Sequence, residues 1–113
     1  MDMNMPRFTV YGPAQGFYLA FLHDWRELDY THGHSGVMET DDPASGDGPP
    51  AATLAAIFAE GNGEGIGDGF TVGGRSMSVG DVVHVEGSGA WLCESSGWSR
   101  IPPEFATRFP LRR

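Results

Sequence analysis

Residues 74–101 constrain this chain more than any other part of it. The run Gly74-Arg75-Ser76-Met77-Ser78-Val79-Gly80-Asp81 is polar and glycine-bounded. It leads into Val82-Val83-His84-Val85-Glu86, where β-branched residues dominate. Such residues fit a pleated, half-buried surface, so the segment predicts a strand. Val79-Gly80-Asp81 predicts the turn that feeds it, with glycine supplying backbone freedom and the Asp81 carboxylate accepting nearby amide hydrogens. Val83 and Val85 point one way, and Val82, His84 and Glu86 the other. Gly87-Ser88-Gly89 has the composition of a hairpin loop. Ala90 to Ser95 returns with Trp91 and Cys93 on one face and Leu92 and Glu94 on the opposite one. Trp98 to Ile101 makes a third short strand, ended by Pro102-Pro103, which cannot donate ladder bonds.

The remaining segments complete a small α+β domain. Phe8-Thr9-Val10-Tyr11, stopped by Gly12-Pro13, predicts a first strand. Phe17 to Leu28 suits both an amphipathic helix and a buried strand; the reading taken is a strand running into a short helical turn. Val37-Met38-Glu39 is read as another short strand. Residues 40–50 are a polar breaker cluster and are expected to be a flexible loop. Ala51 to Glu60 is the clearest helix, opened by Pro49-Pro50, with Leu54, Ile57 and Phe58 on one side and Gly61-Asn62-Gly63 closing it. Residues 61–74 are glycine-dense and expected to be a second flexible loop. Residues 102–113 form a Pro- and Arg-containing tail whose Phe105 and Phe109 fold back on the domain. The expected architecture is a single domain over 1–113: a small antiparallel sheet of four to five strands with one main helix, 51–60, packed on it.

Length and composition agree. A chain of 113 residues supports one core, and 40% hydrophobic residues favour folding over disorder. No apolar run reaches the roughly 20 residues of a membrane span, and the N-terminus lacks the basic and apolar regions of a secretory signal. The single cysteine, Cys93, excludes an internal disulfide framework. A cytoplasmic location is expected.

Charge is unevenly distributed. The net charge is −8, with fourteen acids against three arginines through residue 99, and four arginines against Glu104 thereafter. An acidic body repels phosphate backbones and attracts basic surfaces, including nucleic-acid-binding surfaces of other proteins. Direct nucleic-acid binding is therefore disfavoured. The one route left to it is the tail arginines Arg108, Arg112 and Arg113.

Four groups of residues carry possible chemistry. His32-Gly33-His34 with His23, joined by Asp24, Asp29 or Asp41, has donors that suit zinc or nickel; without a matching second pair they are read as surface histidines. No metal and no cofactor are expected. Gly61 to Gly69 superficially resembles a phosphate loop. It follows a helix rather than opening one, and Glu64 and Asp68 would repel an anion. Cys93 with His84 on the neighbouring strand could form a nucleophile–base couple; Trp91 on the same face argues for core instead. The Ser76, Ser78 and Asp81 turn with Arg75 lacks a nucleophile elbow and is read as structural.

The segment Arg75-Ser76-Met77-Ser78-Val79-Gly80-Asp81-Val82-Val83, followed by Glu94-Ser95-Ser96-Gly97-Trp98, resembles the YodL-like domain of bacterial mobile elements. Leu54-Ala55-Ala56-Ile57-Phe58-Ala59-Glu60-Gly61-Asn62 is similar to the helix that precedes that signature. The likeness covers residues 50–101, and Arg75, Ser76, Ser78, Asp81, Ser95, Gly97 and Trp98 fall on the motif. The acidic loop 39–50 and the long glycine stretch depart from it. The resemblance implies a phage, plasmid or conjugative-element protein that meets host machinery.

Together these readings point to a small acidic interaction protein without catalytic activity. It would inhibit a host complex of the CRISPR or restriction type by covering a basic nucleic-acid-binding surface. Asp41, Asp42, Asp47, Glu60, Glu64 and Asp68 are the expected docking acids, with Trp25 or Phe70 as the apolar anchor. The alternative is a small metal- or cysteine-dependent enzyme using His23, His32 and His34, or Cys93 and His84.

Overall fold

The computed structural model describes residues 5–14, 25–39, 50–63, 69–72 and 74–112. Five strands form one antiparallel sheet: β1 (Arg7–Pro13), β2 (Tyr30–Val37), β3 (Val82–Val85), β4 (Gly89–Glu94) and β5 (Gly97–Arg100), in the spatial order β2-β1-β3-β4-β5. One helix, α1 (Ala51–Gly61), packs against it. Single-turn 3-10 segments occupy Trp25–Glu27 and Ala106–Arg108. No helix among the described residues is long and apolar enough to cross a membrane.

The strand alternation read from the sequence sorts side chains onto two faces. Phe8, Val10, Val83, Val85 and Trp91 meet Leu54 and Ile57 of α1, together with Met38, Val72 and Met77. Thr9 and Tyr11 point the opposite way, as do Val82 and Ala90, and among the described residues this second face is covered without an α-helix. Ile101, Phe105 and Phe109 close over it with Trp25 and Tyr30, and Phe109 is fully buried. Its ring sits edge-on to Tyr11 and Tyr30, at centroid distances of 5.6 and 5.1 Å.

Backbone polar groups of the C-terminal segment end on the sheet rather than in water. The Arg112 amide donates to Thr9 Oγ1 at 2.8 Å, the Tyr11 hydroxyl to the Pro110 carbonyl, and Arg108 Nη2 to the Leu28 carbonyl at 2.6 Å. His84 Nδ1 lies 2.6 Å from the Phe109 carbonyl, a contact that requires a proton on that nitrogen. Thr9, buried in the middle of β1, is thereby satisfied, and no buried side-chain nitrogen or oxygen among the described residues lacks a partner.

The helix begins at Ala51 with Pro50 at its cap and ends where glycine and asparagine were read to stop it. The Asn62 side chain donates to the Phe58 carbonyl at 2.9 Å, taking up one of the carbonyls a helix end leaves free. Gly61 is buried in the last turn, where a Cβ would lie 2.7 Å from Met77 Cβ, so the position takes glycine. The Met77 amide donates to the Gly61 carbonyl at 2.9 Å, which fixes the helix end to the segment leading into β3.

One strand differs from the reading. Val37-Met38-Glu39 was expected to be strand, but β2 runs Tyr30–Val37 and takes in the His32-Gly33-His34 stretch. Backbone pairing with β1 outweighs the weak local strand propensity of Thr31 to Gly36. The expected strand within residues 15–24 and the loop 40–49 fall outside the described residues, and Trp25–Glu27 supplies the short helical turn.

Phe109 carries the burial of the whole second face. Phe109→Ala is expected to cost about 3–5 kcal/mol, as aromatic truncations in cores do, and Phe105→Ala clearly less, measured by urea denaturation followed through tryptophan fluorescence.

Candidate functional site

The motif residues assemble a joint between the two central strands. Asp81 sits at the entry to β3 with its carboxylate fully buried. Arg75 grips it from two directions, Nη2 to Oδ1 at 2.7 Å and Nη1 to Oδ2 at 3.1 Å, and the Ser78 amide adds a third bond at 2.8 Å. Gly80, at φ 97°, turns the chain so that this carboxylate points inward. β1 carries glycine opposite the pair: a Cβ on Gly12 would come within 2.7 Å of Arg75 Nη2 and 2.8 Å of Val72 Cγ1. Burial raises the Asp81 carboxyl above the usual carboxylate range, and the bonds from Arg75 and Ser78 pull it back only in part. Ser76 and Ser78 therefore belong to a structural turn, as read.

Ser95, Gly97 and Trp98 form the β4–β5 turn and the start of β5. Trp98 meets Phe58 of α1 edge-on at 6.4 Å. Together with Ala55, Ala59, Val79 and Cys93 they line an open groove of about 420 Å³.

The histidines and the cysteine do not converge. Residues two apart in a regular strand share a face, but the β1–β2 register shifts between Val10 and Tyr11, so Gly33 is an extra residue in β2. His34 pairs with Val10 and stacks on Phe70 at 4.3 Å, on the helix side. His32 pairs with Tyr11 and reaches Ser35 Oγ at 2.8 Å, on the side of the C-terminal segment. The bulge thus separates the two nitrogens that would have to bind one ion. His23 lies outside the described residues, and no group of three or more metal-binding side chains occurs among those described. Desolvation and the nearby His32 lower the His34 pKa, opposed by Glu60.

Cys93 and His84 also lie on opposite faces. His84 pairs with Ala90 and bonds the C-terminal segment, whereas Cys93 shares the helix-facing side with Trp91. Burial, with Asp81 and Glu94 nearby, pushes the Cys93 thiol up to about 12. A thiol so protonated is no nucleophile near neutrality, and Cys93 is a core cysteine, in agreement with the reading from Trp91 on its face.

Of the expected docking residues, Asp41, Asp42, Asp47, Glu64 and Asp68 fall outside the described residues, and Glu60 is half-buried in the last turn of α1. Trp25 and Phe70 are not exposed anchors. Trp25 packs on Phe105 and Phe109 and is half-buried, with the Arg26 guanidinium 4.8 Å from its ring. Phe70 stacks on His34 and meets Phe8 at a tilt. Among the described residues, the large apolar side chains that do stand in solvent are Met5, 61% exposed, and Val37, 52% exposed. Val37 pairs with Arg7, two residues from Met5, and the Glu86 amide donates to the Arg7 carbonyl. Glu39 and Glu86, both exposed, therefore border the apolar pair at one end of the sheet, with half-buried Arg7 between. The strand alternation of β1 and β2 hinted at an outward Val37, but its exposure depends on β2 being an edge strand.

The tail arginines are engaged in the fold. Arg108 bonds Leu28 and lies 5.5 Å from the Phe109 ring, and Arg112 Nε donates to the Tyr11 hydroxyl at 3.3 Å. Arg113 lies outside the described residues.

No protein-family profile, curated protein or solved structure matches the chain.

Two outcomes follow from this geometry. Arg75→Ala leaves Asp81 buried without its countercharge and is expected to cost about 3–5 kcal/mol. With the attraction gone, desolvation is opposed only by the Ser78 amide, and the Asp81 pKa rises further above that of the unfolded chain. The loss should therefore shrink as pH falls and the carboxyl protonates, as urea titrations at several pH values would record. Cys93 should resist alkylation near neutral pH until the protein unfolds. Because its folded value of about 12 exceeds the ordinary 9.0, its contribution is complete below pH 9.0 and declines as pH rises towards 12; Cys93→Ala should flatten that alkaline decline.

Proposed function

We propose that this chain is a non-enzymatic interaction protein of a phage or other mobile element. It docks on a basic nucleic-acid-binding surface of a host complex, of the anti-CRISPR or anti-restriction type, and inhibits it by occupying that surface. The observation that carries the reading is the end of the sheet where Met5 and Val37 stand exposed between Glu39 and Glu86. An interface needs desolvated apolar anchors for affinity and a charged rim for steering. This surface has both, on a chain of net charge −8. The setting is supported by the YodL-like resemblance of residues 75–83 and 94–98. Arg108 and Arg112 are tethered to a carbonyl, a hydroxyl and a ring of the protein's own fold, which restricts how they could reach a phosphate.

The test is expression of the chain in bacteria that restrict a phage through a CRISPR or restriction system. Plating of the targeted phage is expected to rise, and Val37→Asp or Glu39→Lys should abolish the rise without lowering thermal stability. Association of the purified protein with the captured complex should slow about tenfold or more between low and high salt. Failure to protect phage from any such system, or a salt-independent on-rate, overturns the reading.

A further inference from the structure

The sheet ends at β5, beyond which no described strand lies, and the hydrogen-bonding groups of that edge can be assigned. Hydrogen-bonded and non-hydrogen-bonded pairs alternate along an antiparallel ladder. The Ile101 amide donates to the Ala90 carbonyl at 2.9 Å, so the pairs Leu92–Ser99 and Glu94–Gly97 are hydrogen-bonded as well. Trp91–Arg100 and Cys93–Trp98 are the alternate pairs. The N–H and C=O of Trp98 and of Arg100 therefore point away from β4. They form an outward row centred on Ser99.

The two edges of the sheet differ. β2 is interrupted by the Gly33 bulge, a device that spoils an edge for pairing. β5 has neither a bulge nor a proline within Gly97–Arg100, and Gly97, Ser99 and Arg100 are exposed.

We propose that two copies of this chain associate through their β5 edges. They form one continuous antiparallel sheet about a two-fold axis at Ser99. In that register Trp98 of each copy faces Arg100 of the other, and each such pair exchanges both of its outward backbone bonds. The side chains agree with the backbone. Trp98 and Arg100 project from the same face, and the Arg100 guanidinium already lies 5.8 Å from the Trp91 ring there. Directly opposed residues are close enough for the second copy's indole to join that cation–π contact. On the other face Ser99 meets Ser99, small and polar enough to pass at the short separation of a non-hydrogen-bonded pair. The contact is self-complementary, as a two-fold interface must be.

Each copy carries −8, so repulsion opposes the association and salt should strengthen it. That is the reverse of the salt effect expected for docking on a basic host surface, so the two proposals stand or fall separately. Sedimentation equilibrium from micromolar to millimolar loading is expected to show a monomer–dimer equilibrium that shifts to dimer in high salt. Arg100→Pro removes an outward N–H without taking a bond from the β4 ladder, and should give a monomer with unchanged near-ultraviolet circular dichroism. Ser99→Cys should form a symmetric disulfide-linked dimer under mild oxidation, while buried Cys93 stays reduced. A monomer at millimolar concentration in high salt overturns the proposal. So does a Ser99→Cys protein that does not cross-link, or a folded Arg100→Pro protein that still dimerises; if that variant misfolds, the cysteine result decides.

Discussion

The two central strands, β1 and β3, are buried on both faces, and the rest of the fold answers to that constraint. A sheet with apolar residues on both sides has to be covered twice. In this chain a single helix covers one side, and Leu54 and Ile57 reach into it. Among the described residues, the other side is closed chiefly by the C-terminal segment, whose regular structure is a single 3-10 turn, with Trp25 and Tyr30 beside it. Such a segment can lie on apolar side chains only if its backbone groups find partners. Thr9, Tyr11 and His84, polar groups projecting from that face, accept or donate to Arg112, Pro110 and Phe109. Phe109 supplies the apolar burial, and the polar groups around it make that burial possible.

The Arg75–Asp81 pair solves a second problem, the junction between the glycine-rich connection after α1 and the entry to β3. Gly12 makes room for it, and Gly33 makes room for Val72, whose Cγ1 would lie 2.6 Å from a Cβ there. Val72 pairs with Arg75 in an isolated bridge, so two glycines on neighbouring strands receive one turn. The bulge at Gly33 is part of the same fit. It gives up a regular β2 edge and separates His32 from His34, which removes the metal-site geometry that the His-x-His spacing suggested. Charge pairing and close packing engage the residues that look most distinctive in the sequence.

Much of the architecture was legible from local signals. The helix over 51–60 and its stop at Gly61-Asn62-Gly63, the turn at Gly80 with Asp81 accepting a local amide, and the opposite faces of Val82 and Val83 rest on interactions a few residues long. The return of Phe105 and Phe109 was legible from their apolar character alone. Less could be read where the deciding contact is distant in sequence. β2 has poor strand propensity and exists because β1 pairs with it. Trp25 and Phe70, large and flanked by polar residues, read as exposed anchors, yet they are drawn under Phe109 and His34 by residues more than thirty positions away.

What the sequence determined by itself is the set of elements, their alternation, the acidic balance, and the single cysteine beside Trp91, because each is a property of neighbours or of composition. Tertiary structure decided which strands became edges, and hence that Val37 stands in solvent and that Trp98 and Arg100 carry outward backbone groups. It also decided that His84 and Cys93 never meet. These outcomes depend on strand order and register, which are set by the summed burial of two faces and are recorded in no local stretch of residues.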